Sequence, residues 1–192
     1  MEATERLMTE HQMILRGVDA LVAFAEEVRR GGGDRDELFR FLTFIRDYAD
    51  VLHHGKEEQI LFPAMIEAGF PQGAGPIAVM LQEHDVGREH VATLLALAGT
   101  RIAWTPEDRE DIYVSARGYA DLLRSHIHKE DEILYPMAEQ RLSPELKESV
   151  DEQCAAFDGR AAEEGTRERL EQLATELVAS HLGAGIGELG AR

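Results

Sequence analysis

The chain has 192 residues, of which 44% are hydrophobic, and a formal net charge of −17 at pH 7. This length is enough for one domain with a substantial core, and the negative charge argues against a nucleic-acid partner and against an anionic membrane surface. The one cysteine, Cys154, cannot form an internal disulfide and leaves no Cys pair for a zinc or iron–sulfur site. With no secretory leader and no stretch of membrane-span length, the sequence predicts a cytoplasmic protein.

The first two predicted helices fill about the first third of the chain. Apolar residues recur with a helical period and form no strand-like runs, so the predicted fold class is all-α. The first helix begins with Thr4 as its N-cap and ends before three consecutive glycines. The second begins at Asp34 or Asp36. It passes Glu57, and Pro63 is expected to kink or end it.

The third and fourth predicted helices complete a bundle. The third covers about residues 76–98, and the fourth begins at Thr105-Pro106, where an N-cap is followed by proline and acidic residues. Joined by short connections, the four helices are expected to form an antiparallel up-down-up-down bundle over residues 1–140.

The remainder of the chain is predicted to form a helical extension. Residues 141–182 carry signals for one or two further helices, beginning at Ser143 and at about Thr166. These helices either pack against the bundle or form a dimer surface. The glycine-rich end, residues 183–192, is expected to be a flexible tail.

Two stretches of the chain are related by an offset of 73 residues. Residues 53–63 match residues 126–136 at the His, Lys, Glu, Ile, Leu and Pro positions, and the same offset carries Glu10-His11 onto Glu83-His84. One offset shared by two separated patches indicates a duplicated two-helix unit. Each copy has one histidine early and a His-x-x-x-Glu motif late.

These repeated residues predict a metal site. A His and a Glu four residues apart lie on one face of an α-helix, so both can reach a common point. Imidazoles and carboxylates from facing helices suit iron or manganese better than zinc, whose protein sites usually close at four ligands. The predicted ligands are His11, His53, Glu57, His84, His126 and Glu130.

Six ligands are too many for one ordinary site and predict two metal ions. We expect His11 to pair with His53 and His84 to pair with His126. The two Glu side chains are then expected to span both metals, although which helix faces which metal stays open. For His11 alone, a hydrogen-bonded core histidine is the alternative, and its match to His84 favours a ligand.

Several neighbouring residues are further candidates. His54 lies about 100° from His53 on a helix and stays open as a further ligand, whereas His128 is expected to be solvated. Tyr119 and its repeat partner Arg46 are both expected to point inward above the metals. For Tyr119, a core aromatic with a satisfied hydroxyl is the alternative.

With these residues in hand, the chain resembles the hemerythrin-like family, also called HHE cation-binding domains, over about residues 4–140. The resemblance rests on His11, on His53-x-x-x-Glu57 with Ile-Leu-Phe-Pro, on Glu83-His84-Asp85, and on His126-x-x-x-Glu130 with Ile-Leu-Tyr-Pro. It implies a four-helix bundle that holds a non-haem di-iron centre, bridged by two carboxylates and an oxo or hydroxo group.

The sequence departs from the oxygen-carrying members at two places. Those carriers use five histidines, with His-x-x-x-His on the third helix, whereas Arg88 stands four residues after His84 here. Their last bridging carboxylate is an Asp five residues after its histidine, whereas Glu130 follows His126 by four. The departures argue against simple reversible O₂ carriage.

The resemblance therefore favours a protein that binds and reacts with a small oxidant: O₂, nitric oxide or peroxide. Two iron ions are the expected cofactors, with manganese possible, and electrons would come from a partner protein. The alternative is an iron- or oxygen-sensing or iron-handling module without turnover. The sequence leaves open whether the protein is an enzyme and what its oligomeric state is.

Overall fold

The computed structural model describes residues 1–183, and over this range helices joined by short loops form the chain, without strands. The predicted all-α fold with a four-helix bundle is confirmed. We call residues 35–67 the second bundle helix and residues 106–141 the fourth bundle helix, since in each several helical segments follow one another without a break. The segments are α1 Glu2–Arg29; α2 Arg35–Thr43, π-helical Phe44–His54 and Glu57–Leu61, and α3 Phe62–Glu67; α4 Gly75–Ala98; α5 Pro106–Lys129, π-helical Glu130–Leu134, and α6 Tyr135–Arg141; α7 Pro144–Glu163; and α8 Thr166–Leu182.

Local sequence signals account for most helix ends. Asp34 is the N-cap of α2, where its carboxylate accepts a hydrogen bond of 2.9 Å from the Glu37 amide. Thr105 opens α5 through a capping box with Asp108. The prediction of Thr4 as the first N-cap is wrong, because α1 begins one turn earlier and buries Thr4, whose hydroxyl donates to the carbonyl of residue 1.

Each His-x-x-x-Glu motif ends at a glutamate that begins a π-helical turn. A π turn closes each hydrogen bond over five residues instead of four, and such turns occur frequently at functional sites. Pro63 follows the turn at Glu57–Leu61, and Pro136 follows the turn at Glu130–Leu134. The second bundle helix does not end at Pro63 but continues to Glu67, because the proline stands in the first turn of α3, where a missing N–H is tolerated.

The bundle interior consists of two apolar clusters. One surrounds Phe24, Phe41 and Leu94, towards the ends of the helices where α1 and α4 finish. The other surrounds Leu61 and Tyr135, towards the opposite end. The repeated His and Glu residues lie along the helices between these clusters, so a buried polar layer divides the core.

The two C-terminal helices pack against the bundle. Helix α8 contacts α1 along its length, and its residues Leu170 and Leu177 are buried in the same cluster as Phe24. Helix α7 adds Cys154 to the other cluster. Of the predicted flexible tail, residues 184–192 lie outside the described part of the chain.

None of the described helices combines the length and apolarity that crossing a membrane requires.

Candidate metal centre

The predicted ligands converge in the buried polar layer as two groups. His11, His53 and Glu130 form the first half-site, and His54, Glu57, His84 and His126 form the second half-site. Within each group the potential ligand atoms lie within 4.8 Å of one another, and all these residues are buried. The structure thus brings together all six residues that the repeat predicts and adds His54.

The imidazoles pair as the duplication predicts. The Nε2 atoms of His11 and His53 are 3.0 Å apart, and those of His84 and His126 are 3.1 Å apart. Each pair joins one histidine from the first helix of a copy to one from its second helix. Two equivalent helical hairpins therefore contribute two equivalent imidazole pairs.

The two glutamates lie between these pairs. Glu130 Oε2 is 3.3 Å from His11 Nε2, and its Oε1 is 3.3 Å from His126 Nε2. Glu57 Oε2 is 3.8 Å from His53 Nε2 and 3.6 Å from His84 Nε2. Each carboxylate thus approaches imidazoles of both half-sites, which is the arrangement required of a bridge between two cations.

The carboxylate oxygens provide a test of whether a metal fits. Glu57 Oε2 and both carboxylate oxygens of Glu130 are buried and accept no hydrogen bond from any described residue. Buried carboxylates without partners are strongly unfavourable. The donor set of imidazole nitrogens and carboxylate oxygens suits iron or manganese. The residues present therefore fit a pair of cations.

A second layer of carboxylates orients the imidazoles. Every Nδ1 atom of the four paired histidines is hydrogen-bonded to a carboxylate, which keeps the proton on Nδ1 and directs Nε2 to the interior. The pairs are His11–Asp131 at 2.7 Å, His53–Glu10 at 2.9 Å, His84–Glu58 at 2.7 Å and His126–Glu83 at 2.9 Å.

Sequence reasoning did not assign roles to these outer carboxylates. The offset of 73 residues carries Glu10 onto Glu83 and Glu58 onto Asp131. The repeat therefore indicated these four carboxylates, but their role is recognised only from the position of each one beside its histidine.

The protein alone sets unequal pKa values in this layer. Burial acts to lower the pKa of His11, but the hydrogen bond to Asp131 and the nearby negative charges of Glu130 and Asp131 outweigh it and raise that pKa to about 9. Burial and then the charge of His11 lower the pKa of His53 to about 4. Burial and the neighbouring Glu130 charge raise the pKa of Glu57 well above its usual range. A bound cation would favour neutral imidazoles and ionised carboxylates throughout.

Two residues make the half-sites unequal. His54 stacks on His84 with ring centroids 3.8 Å apart, whereas its repeat partner is Ile127. The hydroxyl of Tyr135 donates a 2.7 Å hydrogen bond to Glu57 Oε1 and lies 3.5 Å from His11 Nε2. The repeat partner of Tyr135 is Phe62.

Sequence reasoning left His54 open and missed Tyr135. A phenylalanine at the matching repeat position carries no indication of a polar role, so the tyrosine was recognisable only from its position in the fold.

Other candidates lie outside the centre. Tyr119 is buried in the apolar core, at 3% exposure, and lines a cavity together with His54 and His84. The prediction that Arg46 points inward is wrong, since its side chain is 56% exposed and paired with Asp47. His128 is exposed, as predicted.

The C-terminal helices seal one side of the first half-site. Lys56, which is 1% exposed, donates to Glu10 and, at 3.0 Å, to Asp158 of α7. Arg167 of α8 donates to the same two carboxylates at 2.7 Å each. We call these four residues the Lys56 cluster. Because Glu10 also holds His53, the cluster connects α7 and α8 to the centre.

Comparison with known proteins gives consistent matches. The family model described as hemerythrin HHE cation binding domain matches residues 2–138. A probable iron-sulfur cluster repair protein of Haemophilus influenzae is 33% identical over 123 residues, which cover 60% of this chain and 54% of that protein. The iron-sulfur cluster repair protein DnrN of Neisseria gonorrhoeae is 34% identical over 139 residues, which cover 67% of this chain and 84% of that protein.

A third relative, the iron-sulfur cluster repair protein YtfE of Dickeya chrysanthemi, is 36% identical over 129 residues, covering 62% of this chain and 56% of that protein. The chain thus spans little more than half the length of the first and third of these relatives. No solved structure matches the chain significantly. Since the family match at residues 2–138 contains every residue of both half-sites, the chain belongs to the hemerythrin HHE cation-binding family.

Proposed function

We propose that the chain holds two iron ions, one in each half-site, bridged by the carboxylates of Glu57 and Glu130. The observation that carries this proposal is the placement of both carboxylates between the two imidazole pairs, with buried oxygens that accept no hydrogen bond from described residues. Manganese suits the same donors. Family membership and the metal-compatible donor set support iron as the physiological metal.

We further propose that this centre reacts with a small oxidant: O₂, nitric oxide or peroxide. Bound iron would supply the one-electron redox chemistry. The four outer carboxylates hold the imidazoles in one tautomer, and Tyr135 holds one oxygen of Glu57. Apolar clusters lie on either side of the layer. Electrons would come from a donor protein, and a cytoplasmic location belongs to the same proposal.

The experiment is iron analysis followed by turnover. We expect about two irons per chain and, after oxidation, the visible absorption of an oxo-bridged di-iron centre that reductant bleaches. The loaded protein should decompose nitric oxide or peroxide, Glu57→Ala should abolish this activity, and His128→Ala should retain it. One iron per chain would contradict the two-metal assignment, and equal rates for Glu57→Ala and the parent would contradict the reaction.

A second candidate is iron handling without turnover of an oxidant. The relatives described above are named as iron-sulfur cluster repair proteins, which favours delivery of iron to a damaged cluster. The loaded protein would then restore an oxidatively damaged iron–sulfur enzyme while consuming no nitric oxide or peroxide. Restoration that is lost in Glu57→Ala and kept in His128→Ala would select this candidate over the first.

A further inference from the structure

We propose that α7 and α8 position a metal-binding histidine of the first half-site, with Asp158 and Arg167 acting through Glu10 on His53. Both helices lie outside the family match at residues 2–138. The proposal thus gives the C-terminal extension a role at the centre. The link to metal binding rests on the proposed function, whereas the position of His53 can be tested without metal.

The two carboxylate oxygens of Glu10 have separate partners. Oε2 lies 2.9 Å from His53 Nδ1. Oε1 accepts from Lys56 and, at 2.7 Å, from Arg167 of α8. Hydrogen bonds between ionised groups are stronger than those between neutral groups. Because two cations hold Oε1, the carboxylate is prevented from rotating, and Oε2 stays directed at the imidazole.

Helix α7 completes this arrangement through Asp158, which is 7% exposed. Its Oδ1 accepts from Lys56 at 3.0 Å and from Arg167 at 2.7 Å, and its Oδ2 accepts from Arg6 of α1 at 2.8 Å. Lys56 and Arg167 therefore each contact the same two carboxylates. A change in α7 or in α8 alters the partners of both cations and so reaches Glu10.

The second copy of the repeat is an internal comparison. Glu83 stands at the position of Glu10, with Oε2 2.9 Å from His126 Nδ1 and with Oε1 accepting from Lys129. The Glu83 and Lys129 side chains are 19% and 30% exposed, against 3% and 1% for Glu10 and Lys56. Among the described residues, α7 and α8 donate no hydrogen bond to Glu83. The extension therefore supports one of two otherwise matched units.

The expected consequence is an effect on one of two bound ions. A carboxylate that holds the outer nitrogen of a ligating histidine fixes the orientation of the ring, and its loss typically weakens metal binding by about 10-fold to 100-fold. Loosening of Glu10 should therefore weaken the first half-site and leave the second half-site as it is.

Two variants remove the contribution of the extension. Arg167→Met removes the guanidinium of α8 and keeps an unbranched side chain. Asp158→Asn removes the charge of α7 at nearly the same shape, and it serves if Arg167→Met fails to fold. The matched control is Glu176→Ala, which removes another ion pair between α8 and the bundle. That pair joins Arg40 and Glu176 at 2.7 Å, with side chains 37% and 50% exposed.

The first measurement is NMR of ¹⁵N-labelled histidines in metal-free protein. We expect the Nδ1 proton of His53 to exchange with solvent at least about tenfold faster in Arg167→Met and Asp158→Asn than in the parent and Glu176→Ala, because exchange requires local opening of the hydrogen bond. The Nδ1 proton of His126 should keep its parent rate in every variant. An unchanged rate at His53 in a folded variant, or equal acceleration at both histidines, would overturn the inference.

The second measurement is titration with cobalt(II), which separates this inference from the proposed function. The parent and Glu176→Ala should bind about two cobalt ions, whereas Arg167→Met and Asp158→Asn should bind one with parent affinity and the other at least about tenfold more weakly. Unchanged affinity for both ions, or equal weakening of both, overturns the positioning role while the two-metal proposal stands. A parent that binds neither cobalt nor iron overturns the proposed function, and faster exchange at His53 in the variants would still support positioning by the extension.

Discussion

At the scale of single residues, each paired histidine has one ring nitrogen fixed from outside and one directed inward. The outer carboxylates accept from Nδ1, so Nε2 is left as the donor atom for a cation. Burial alone would not distinguish these rings from ordinary core histidines. Each ring has an outer carboxylate at Nδ1 and faces an inner carboxylate that lacks a hydrogen-bond partner. The space between the rings and the inner carboxylates therefore suits a cation.

Glu130→Ala should lose bound iron, whereas His128→Ala should keep it. Glu130 approaches both half-sites, at 3.3 Å from each of two Nε2 atoms, and His128, two residues earlier, is exposed. Inductively coupled plasma analysis of the purified variants checks this. His53→Ala should behave like Glu130→Ala, and a normal iron content in Glu130→Ala would contradict the bridging assignment.

Cys154 should be unreactive in the folded protein. Its side chain is 2% exposed, and burial raises the pKa of the thiol to about 11, so little thiolate exists at pH 8. Labelling with a chromogenic disulfide reagent should be at least about a hundredfold slower in buffer than in denaturant. Complete labelling of native protein within minutes would show that the thiol is accessible.

At the scale of elements, the π-helical turns explain the additional histidine. A wider turn reduces the angle between consecutive residues, so His53 and His54 both fit on the interior side of the second bundle helix. In the fourth bundle helix the corresponding turn begins later, at Glu130, and His126 lies within α5. The two copies thus differ in backbone as well as in side chains.

The C-terminal helices contact mainly the first copy. Lys129, the repeat partner of Lys56, donates to Glu83 and remains 30% exposed, whereas Lys56 is covered by Asp158 and Arg167. We therefore expect the extension to stabilise the first hairpin more than the second.

Asp158→Ala should lower the free energy of unfolding by about 3 kcal/mol, because it leaves the buried Lys56 and the partly buried Arg167 with one carboxylate fewer. The control, Asp19→Ala, removes the partner of Arg124 in a pair with 49% and 41% exposure, and should cost less than about 1 kcal/mol. Urea denaturation of the metal-free proteins measures both. Similar losses for the two variants would show that the Lys56 cluster contributes no more than a surface pair.

At the scale of the whole molecule, four bundle helices meet in a polar layer whose imidazoles and carboxylates fit metal ions. The layer lies between the two apolar clusters, so a change in its free energy affects the stability of both clusters. The net charge of −17 adds repulsion that bound cations reduce.

Removal of the metal should therefore lower the thermal midpoint. At a free metal concentration of roughly a hundred times Kd, binding adds about 2.7 kcal/mol, which corresponds to a shift of about 5–10 °C for a chain of this size. Calorimetry of chelated and reloaded protein measures the difference. Glu130→Ala should show no response to added iron, and an unchanged midpoint in the parent would contradict coupling of metal binding to folding.

The amino-acid sequence by itself determined the all-α class, the four bundle helices and the residues that converge. Apolar residues recur with a helical period because each helix buries one face. A duplication repeats every inward-facing position at one constant offset in the sequence. The sequence also predicted two metal ions, because it supplies six candidate ligands in two matched sets.

Only the tertiary structure decided how the two copies differ. The role of Tyr135, the inclusion of His54, the exposure of Arg46, and the contact of Asp158 with Lys56 all depend on distances between helices remote in sequence. Such distances follow from how side chains of different size pack against one another and from the wider π turns. A comparison of the two repeat copies treats them as equal. The copies differ in the structure because their side chains pack against different neighbours.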